Sequence, residues 1–228
     1  MHIPDGLLPA SVCIAGYATT GALTWYALHT IQRQDNPQAG IPRASLLTAA
    51  FFVASWIHIP VPPTSVHLML SGLLGVLLGY YAMPAILIGL FLQAIMFQHG
   101  GLTTLGVNAT ILGLPALLAG AFFRLRRGQT SRILTGVCGF VAGAGGVMLA
   151  VLIFYSVLIT TIPLTINVDQ ERAAITALAL VHIPLMVLEG LFTTLVVVFL
   201  QRVRPELLDG SARYMPPVLV SASESYES

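Results

Sequence analysis

Apolar residues run through this chain in long blocks rather than in the narrow stripes of a soluble amphipathic helix. From Leu7 to Leu200 the blocks reach membrane-spanning length and are separated by short polar or Pro/Gly breaks. Reading about 20 apolar residues as one crossing predicts spans at 8–31, 44–60, 66–82, 83–98, 106–123, 133–161 and 174–200. The fold expected is an all-α, polytopic membrane bundle of about seven transmembrane helices. Its least regular points are a split at "YYAMP" (80–84) and the glycine-broken block "GFVAGAGGVM" (139–148). One transmembrane domain is expected over 1–205. A polar cytoplasmic tail follows at 206–228, where "VSASESYES" has the composition of a disordered segment.

Composition sharpens this picture. Of 228 residues, 56% are hydrophobic and only 8% charged, whereas soluble domains carry about 25% charged residues. A formal net charge of +1 gives no reason to expect nucleic acid as a partner. With Pro4 and Asp5 in place of a basic n-region, no cleavable signal peptide is expected. Cys13 and Cys138 sit within apolar stretches and read as packing residues.

All ten basic residues are arginine, and their distribution predicts an orientation. With the N-terminus outside and the C-terminus in the cytoplasm, Arg33, Arg43, Arg124, Arg126, Arg127, Arg132, Arg202, Arg204 and Arg213 fall inside and only Arg172 outside. The same layout gathers histidines at the outer face. His2 lies at the outer end of the first span, His58 and His67 flank the turn "HIPVPPTSVH", His99 caps the fourth span and His182 lies in the outer part of the seventh. Only His29 falls near the cytoplasmic side. An imidazole-rich outer rim over an apolar bundle suits capture of an external cation.

"MHIPDG" adds a second donor type. A bulky residue at position 2 protects Met1 from removal, which leaves a free amine after deformylation. That amine, the amide nitrogen of His2 and its imidazole can grip one ion through fused chelate rings, giving three nearly coplanar nitrogens. Planarity is what Ni(II) or Cu(II) prefers with nitrogen ligands. A further histidine must complete the square. His67 is preferred, because it follows the proline-stiffened "PVPPTS" at the outer face, with His58 and His99 as rivals.

"MHIPDGLLP" (1–9), "PVPPTSVHLMLSGLLG" (60–75), "FQHGGLTTLGVN" (97–108) and "IPLMVLEGLFT" (183–193) together resemble the CbiM/NikM family, the substrate-capturing S component of nickel/cobalt energy-coupling-factor importers. The likeness covers nearly all of 1–205. It implies a metal plane built from Met1, His2 and His67, selecting His67 over its rivals, with Ni2+ favoured over Co2+ as bound substrate and no cofactor. It also implies a bacterial inner-membrane location, a membrane coupling (T) subunit, cytoplasmic ABC-type ATPase subunits and a small accessory membrane protein. The chain itself is then not an enzyme. It has no lysine and no G-x-x-x-x-G-K-[ST] loop, so ATP hydrolysis by that route falls to other subunits.

Around the plane, Ser65, Gln98, His99 and Asn108 are expected to support the ligands, with the paired glycines of "HGGLTTLG" making a tight outer loop. Gln93 and Glu189 read as structural polar contacts at depth, and Asp5 as a cap for the first helix. Ala15, Ala18 and Ala22 form a small-residue face on the first span, suited either to a partner helix or to packing within the bundle. A proton-coupled secondary carrier and a membrane metalloenzyme are the alternatives. The first normally shows repeated halves and midplane ionisable groups; the second needs an open coordination position.

Overall fold

The structure, a computed structural model, describes residues 2–61, 64–126, 131–163 and 167–209, with backbone alone for 58–61, 64, 65 and 209. The helices are α1 (Ala10–Gln32), α2 (Ile41–Ala54), α3 (Ser71–Leu78), α4 (Ala82–Phe97), α5 (Leu105–Arg124), α6 (Arg132–Thr160), α7 (Val168–Val203) and the single turn α8 (Glu206–Asp209). The chain is a helical membrane bundle, as its sequence predicts. One element departs from the all-α expectation. "HIPVPPTSVH" forms a two-stranded antiparallel hairpin, β1 (His58–Val61) and β2 (Thr64–His67), with His58 opposite His67. Prolines that cannot continue a helix and β-branched residues on either side explain why the chain prefers a ribbon there.

Stretches long and apolar enough to cross a membrane are Ser71–Phe97, Leu105–Arg124, Arg132–Thr160 and Val168–Val203. α2 has 14 residues and α3 only 8, well short of the ~20 needed for a full crossing. Ser71–Phe97 is not one straight rod. Its 27 residues would extend about 40 Å as a continuous helix, yet the rings of His67 and His99, which flank it, have centroids 5.1 Å apart. The chain therefore doubles back. Gly79, at φ 58°, ends α3 in a conformation open to glycine, and a 3-10 turn over Gly79–Tyr81 starts the return leg, α4. The break falls at the start of "YYAMP".

The other irregular block has the opposite outcome. α6 runs unbroken through 139–148, and its glycines are a packing seam. Gly139 and Gly143 lie against Val197 and Thr193 of α7, and the Thr194 hydroxyl donates to the Gly136 carbonyl at 3.1 Å. Small residues let two helix backbones approach where lipid provides no hydrophobic drive. α3 is the bundle's centre: all of its residues are buried. It packs through Gly75 against the Ala116 carbonyl of α5 and through Gly72 against Ala142 and Gly143 of α6. After α7, Leu208 of α8 is 6% exposed and joins this core, so the packed domain extends past 205. The rest of the tail, 210–228, lies outside the described residues.

Gly75 and Gly145 give a paired test. A Cβ on Gly75 collides with the Ala116 carbonyl, whereas one on Gly145 meets nothing within 4 Å. Gly75→Val should destabilise the purified protein by about 1–3 kcal/mol or more, read as an earlier thermal unfolding midpoint in detergent. Gly145→Val should leave that midpoint nearly unchanged.

Candidate metal centre

Three segments converge on one point. His2 arrives on the irregular stretch before α1, His67 ends β2, and His99 follows α4. The rings of His2 and His67 are stacked with centroids 5.0 Å apart at 28°. His99 meets His2 edge-on at 4.6 Å, and its Nε2 lies 3.5 Å from His67 Nε2. One nitrogen from each imidazole lies within 4.8 Å of the other two. The structure thus brings His2 and His67 together, and it places the His99 ring against both of them. Met1 lies outside the described residues.

The N-terminal segment is fastened by backbone hydrogen bonding. Ile3, 1% exposed, donates its N–H to Asn108 Oδ1 at 2.9 Å. Its carbonyl accepts from Asn108 Nδ2 at 3.0 Å and from the Thr104 hydroxyl at 2.6 Å. One side-chain amide therefore reads both polar groups of the residue next to His2. Asp5 adds a second clasp, accepting from Leu102 N at 3.0 Å, Thr103 N at 2.8 Å and the Thr103 hydroxyl at 2.5 Å. This corrects the expectation for Asp5: α1 begins at Ala10, after Pro9, with no side-chain cap, and the carboxylate instead holds the loop that leads into α5. The Thr103 hydroxyl holds the Asp5 carboxyl below the usual carboxylate range. The charged clasp is thus complete above that range and weakens only as pH falls through the lowered value.

His67 is held with equal care. It is 6% exposed, and its Nδ1 lies 3.1 Å from the Leu68 carbonyl. A proton on Nδ1 would serve that contact and leave the Nε2 lone pair toward His99. Immediately after it, Met69 N–H and Leu70 N–H both donate to the Glu189 carboxylate of α7, the second at 2.9 Å. Glu189 is 1% exposed, and it pins the strand-to-helix junction that carries His67. His99 leaves α4 through Gln98, a left-handed C-cap at φ 54°, and its N–H donates to the Gln93 carbonyl at 3.2 Å. Gln98 is exposed and serves as the turn.

The interior of the cluster is short of protein partners. Both ring nitrogens of His2 are buried without a hydrogen bond among the described residues, as are both amide atoms of Gln93. Gln93 is near enough to influence the His2 ring, yet no hydrogen bond of regular geometry joins the two. Orphaned buried polar atoms cost about 1–3 kcal/mol each. Burial holds the His2 imidazole well below its ordinary value, so it is neutral at neutral pH and keeps a lone pair for a cation. The other histidines are elsewhere. His182 is buried with Nδ1 2.7 Å from the Leu178 carbonyl of its own helix, and His29 stacks on Trp25 toward the far end of α1. The side chains of His58 and Ser65 lie outside the described residues.

Residues 2–207 match the family described as "CbiM: Cobalt uptake substrate-specific transmembrane region". The chain belongs to this family. A "Putative metal transport protein" of Haemophilus influenzae is 32% identical over 94% of this chain and 100% of its own length. A "Cobalt transport protein CbiM" of Sorangium cellulosum is 31% identical over 92% and 95%. A "Fused nickel transport protein NikMN" of Rhodobacter capsulatus is 30% identical over 91% of this chain and 64% of that longer protein. A crystal structure of a transition metal transporter superposes with a TM-score of 0.74 at 22% identity, covering 95% of this chain and 100% of that one. A truncated form gives 0.73 at 21% identity over 89% and 99%. This CbiM-family chain is a multi-pass membrane component of cobalt/nickel uptake.

Asn108 is the sharpest test of how the centre is assembled. Asn108→Leu removes the partner of the Ile3 N–H and one of the two donors to its carbonyl, leaving only the Thr104 hydroxyl there, with a side chain of similar shape. Metal affinity by calorimetric titration should fall about 10–100-fold, with helix content by circular dichroism unchanged.

Proposed function

We propose that the chain captures Ni2+, with Co2+ as the weaker substrate, in a square-planar all-nitrogen site. Three of its corners are the free N-terminal amine, the His2 amide and the His2 imidazole. His67 closes the square, and His99 stands against it. The observation that carries this reading is the pair of buried His2 ring nitrogens with no hydrogen-bond partner among the described residues, set beside His67, with Asn108 clamping the backbone next to His2 and Glu189 that next to His67. A site built for an imidazole–protein hydrogen bond would have supplied one. A neutral, unpartnered ring beside two further imidazoles is arranged for a cation.

On this reading the chain is the substrate-capturing component of an ATP-driven importer in the bacterial inner membrane, with its outer face carrying the histidines. A coupling subunit in the membrane, separate ATPase subunits and a small accessory membrane protein would supply transport. Ala15, Ala18 and Ala22 support a docking role for α1, because all three are exposed and a Cβ on neighbouring Gly21 meets nothing within 4 Å. Such a smooth exposed face permits close backbone approach by another helix.

An extra residue before Met1 should abolish high-affinity Ni(II) binding without unfolding the bundle, since it removes the terminal amine from the chelate. The readout is the visible spectrum of purified protein titrated with Ni(II), which is yellow and diamagnetic for planar nitrogen ligation with a deprotonated amide. An extended chain that binds as tightly as the native one sinks the proposal. His67→Ala should lose the planar spectrum, whereas His99→Ala should weaken binding but keep it, and His182→Ala should change little. Cu(II) should bind at least as well as Ni(II), and Zn(II) much worse.

A second experiment separates capture from transport. Ala18 and Ala22 lie about 12 and 18 Å along α1 from its start at Ala10, too far to touch the ion. Replacing both with Leu should leave Ni(II) binding in detergent intact but prevent co-purification of the coupling subunit and nickel accumulation in cells. Loss of binding in the isolated variant would refute the docking role.

A further inference from the structure

The opposite end of the bundle holds a second polar feature. Between the segment after α1, the start of α2, the α3–α4 turn, the end of α5 and α8 lies a cavity of about 700 Å³. Arg33, Arg43 and Arg124 line it from three separate elements, together with Tyr80, Tyr81 and one carboxylate, Asp35. None of the three arginines forms a salt bridge among the described residues, where the one such pair is Arg204–Glu206 at 3.3 Å. Arg43 donates from Nη1 to the Leu207 carbonyl at 3.2 Å, but its Nε is buried with no partner among the described residues. Arg124 sits over the Tyr80 ring at 4.9 Å. Tyr81 is already committed, its hydroxyl donating to the Pro37 carbonyl at 2.5 Å.

Three guanidiniums around one hollow, with a single carboxylate beside them, leave two positive charges in excess. Their mutual repulsion is relieved by an anion, and guanidinium forks match phosphate oxygens in pairs. The hollow is in the ~300–1,000 Å³ range of small-molecule sites, far larger than one inorganic ion requires. Its rim also leads onto lipid-facing surface. Tyr80 meets Tyr26 edge-on at 5.9 Å. Tyr26 is 50% exposed and Trp25, one residue before it, is 67% exposed. Tyr and Trp collect at headgroup depth, and basic pockets between membrane helices take anionic headgroups.

We propose that this cavity binds the phosphate group of an anionic phospholipid, seated against Arg33, Arg43 and Arg124 at the end of the bundle remote from the histidines. The lipid then ties α1, α2, the α3–α4 turn and α5 together at their common end. The site is independent of the metal centre and of the direction in which the chain crosses the membrane.

The test uses the full chain, purified and delipidated in detergent, in native mass spectrometry with phosphatidylglycerol, phosphatidylcholine or inorganic phosphate added. Phosphatidylglycerol should be retained in preference to phosphatidylcholine. Arg33→Gln, Arg43→Gln and Arg124→Gln should each weaken that retention about fivefold, with Ni(II) binding unchanged. Asp35→Asn, on an exposed residue, should strengthen it, which keeps the test decisive if an arginine variant fails to fold. Equal retention of the two lipids overturns the proposal. So does saturation by millimolar inorganic phosphate with displacement of the lipid, which would make the site one for a soluble anion. Retention indifferent to all three arginines, with loss of co-purifying membrane subunits instead, would reassign the cavity to protein docking.

Discussion

A segment that lies in neither helix nor strand is the hardest part of a protein to hold still, because no ladder of backbone hydrogen bonds shares the cost of ordering it. Fixing one residue costs about 1–2 kcal/mol of backbone entropy, and a buried backbone with unmet polar groups costs more. Here the bidentate embrace of Ile3 by Asn108 answers both demands at once. The Asn108 amide supplies the acceptor and donor that a β-strand neighbour would otherwise provide, so residue 3 is paired as though it lay in a sheet. His2 is then one bond from a fixed point, and its ring can remain buried without a hydrogen bond. The Asp5 clasp and the Thr104 hydroxyl brace the same segment, and α1 crosses α5 through the bond from Thr20 to the Gly106 carbonyl.

The same logic repeats at the other two histidines with different parts. Glu189 gives two acceptors to the N–H groups of Met69 and Leu70, where the chain passes from strand to helix and Leu70 takes a positive φ of 50°. Gln98 takes a left-handed turn so that His99 N–H reaches back into α4. Each imidazole is carried on a short non-helical segment, and each segment is fastened by a polar group of a regular helix. Precision at the cluster therefore comes from the helices, although none of its three histidines is helical.

Much of this was legible in the sequence, because membrane solvation writes itself as apolar length. The helical bundle and the break near Tyr80 follow from span boundaries, which also bring His2, His67 and His99 to one rim, although they group His58 and His182 with them and His182 instead contacts the Leu178 carbonyl of its own helix. Other features were not legible for physical reasons. The ribbon at 58–67 reads as a plain turn between apolar blocks, because each strand has only four residues, too few for a period-2 alternation to stand out. The single span at 133–161 is one helix, but the reason its glycines do not break it is not visible in the sequence: glycine is a poor helix former in water, whereas packing against α7 rewards the missing side chains. Asp5 was assigned to its nearest helix, since a sequence shows local neighbours and not Leu102 and Thr103 across the fold. Glu189 showed as a buried carboxylate, with nothing to indicate that it accepts from two backbone amides of a distant segment.

The reversal at Gly79 makes α4 a lever. Its pivot sits at one end of the bundle, beside Arg124, and its free end carries His99. Over 16 residues the arm is about 24 Å long, so a swing of about 10° at the pivot shifts the tip by roughly 4 Å. That displacement exceeds the 3.5 Å separating the facing nitrogens of His67 and His99. The spacing of the two imidazoles is thus sensitive to the angle at which α4 leaves the Gly79 turn, and the packing of α4 along α5 and α2 must hold that angle to within a few degrees for His99 to stay against His67.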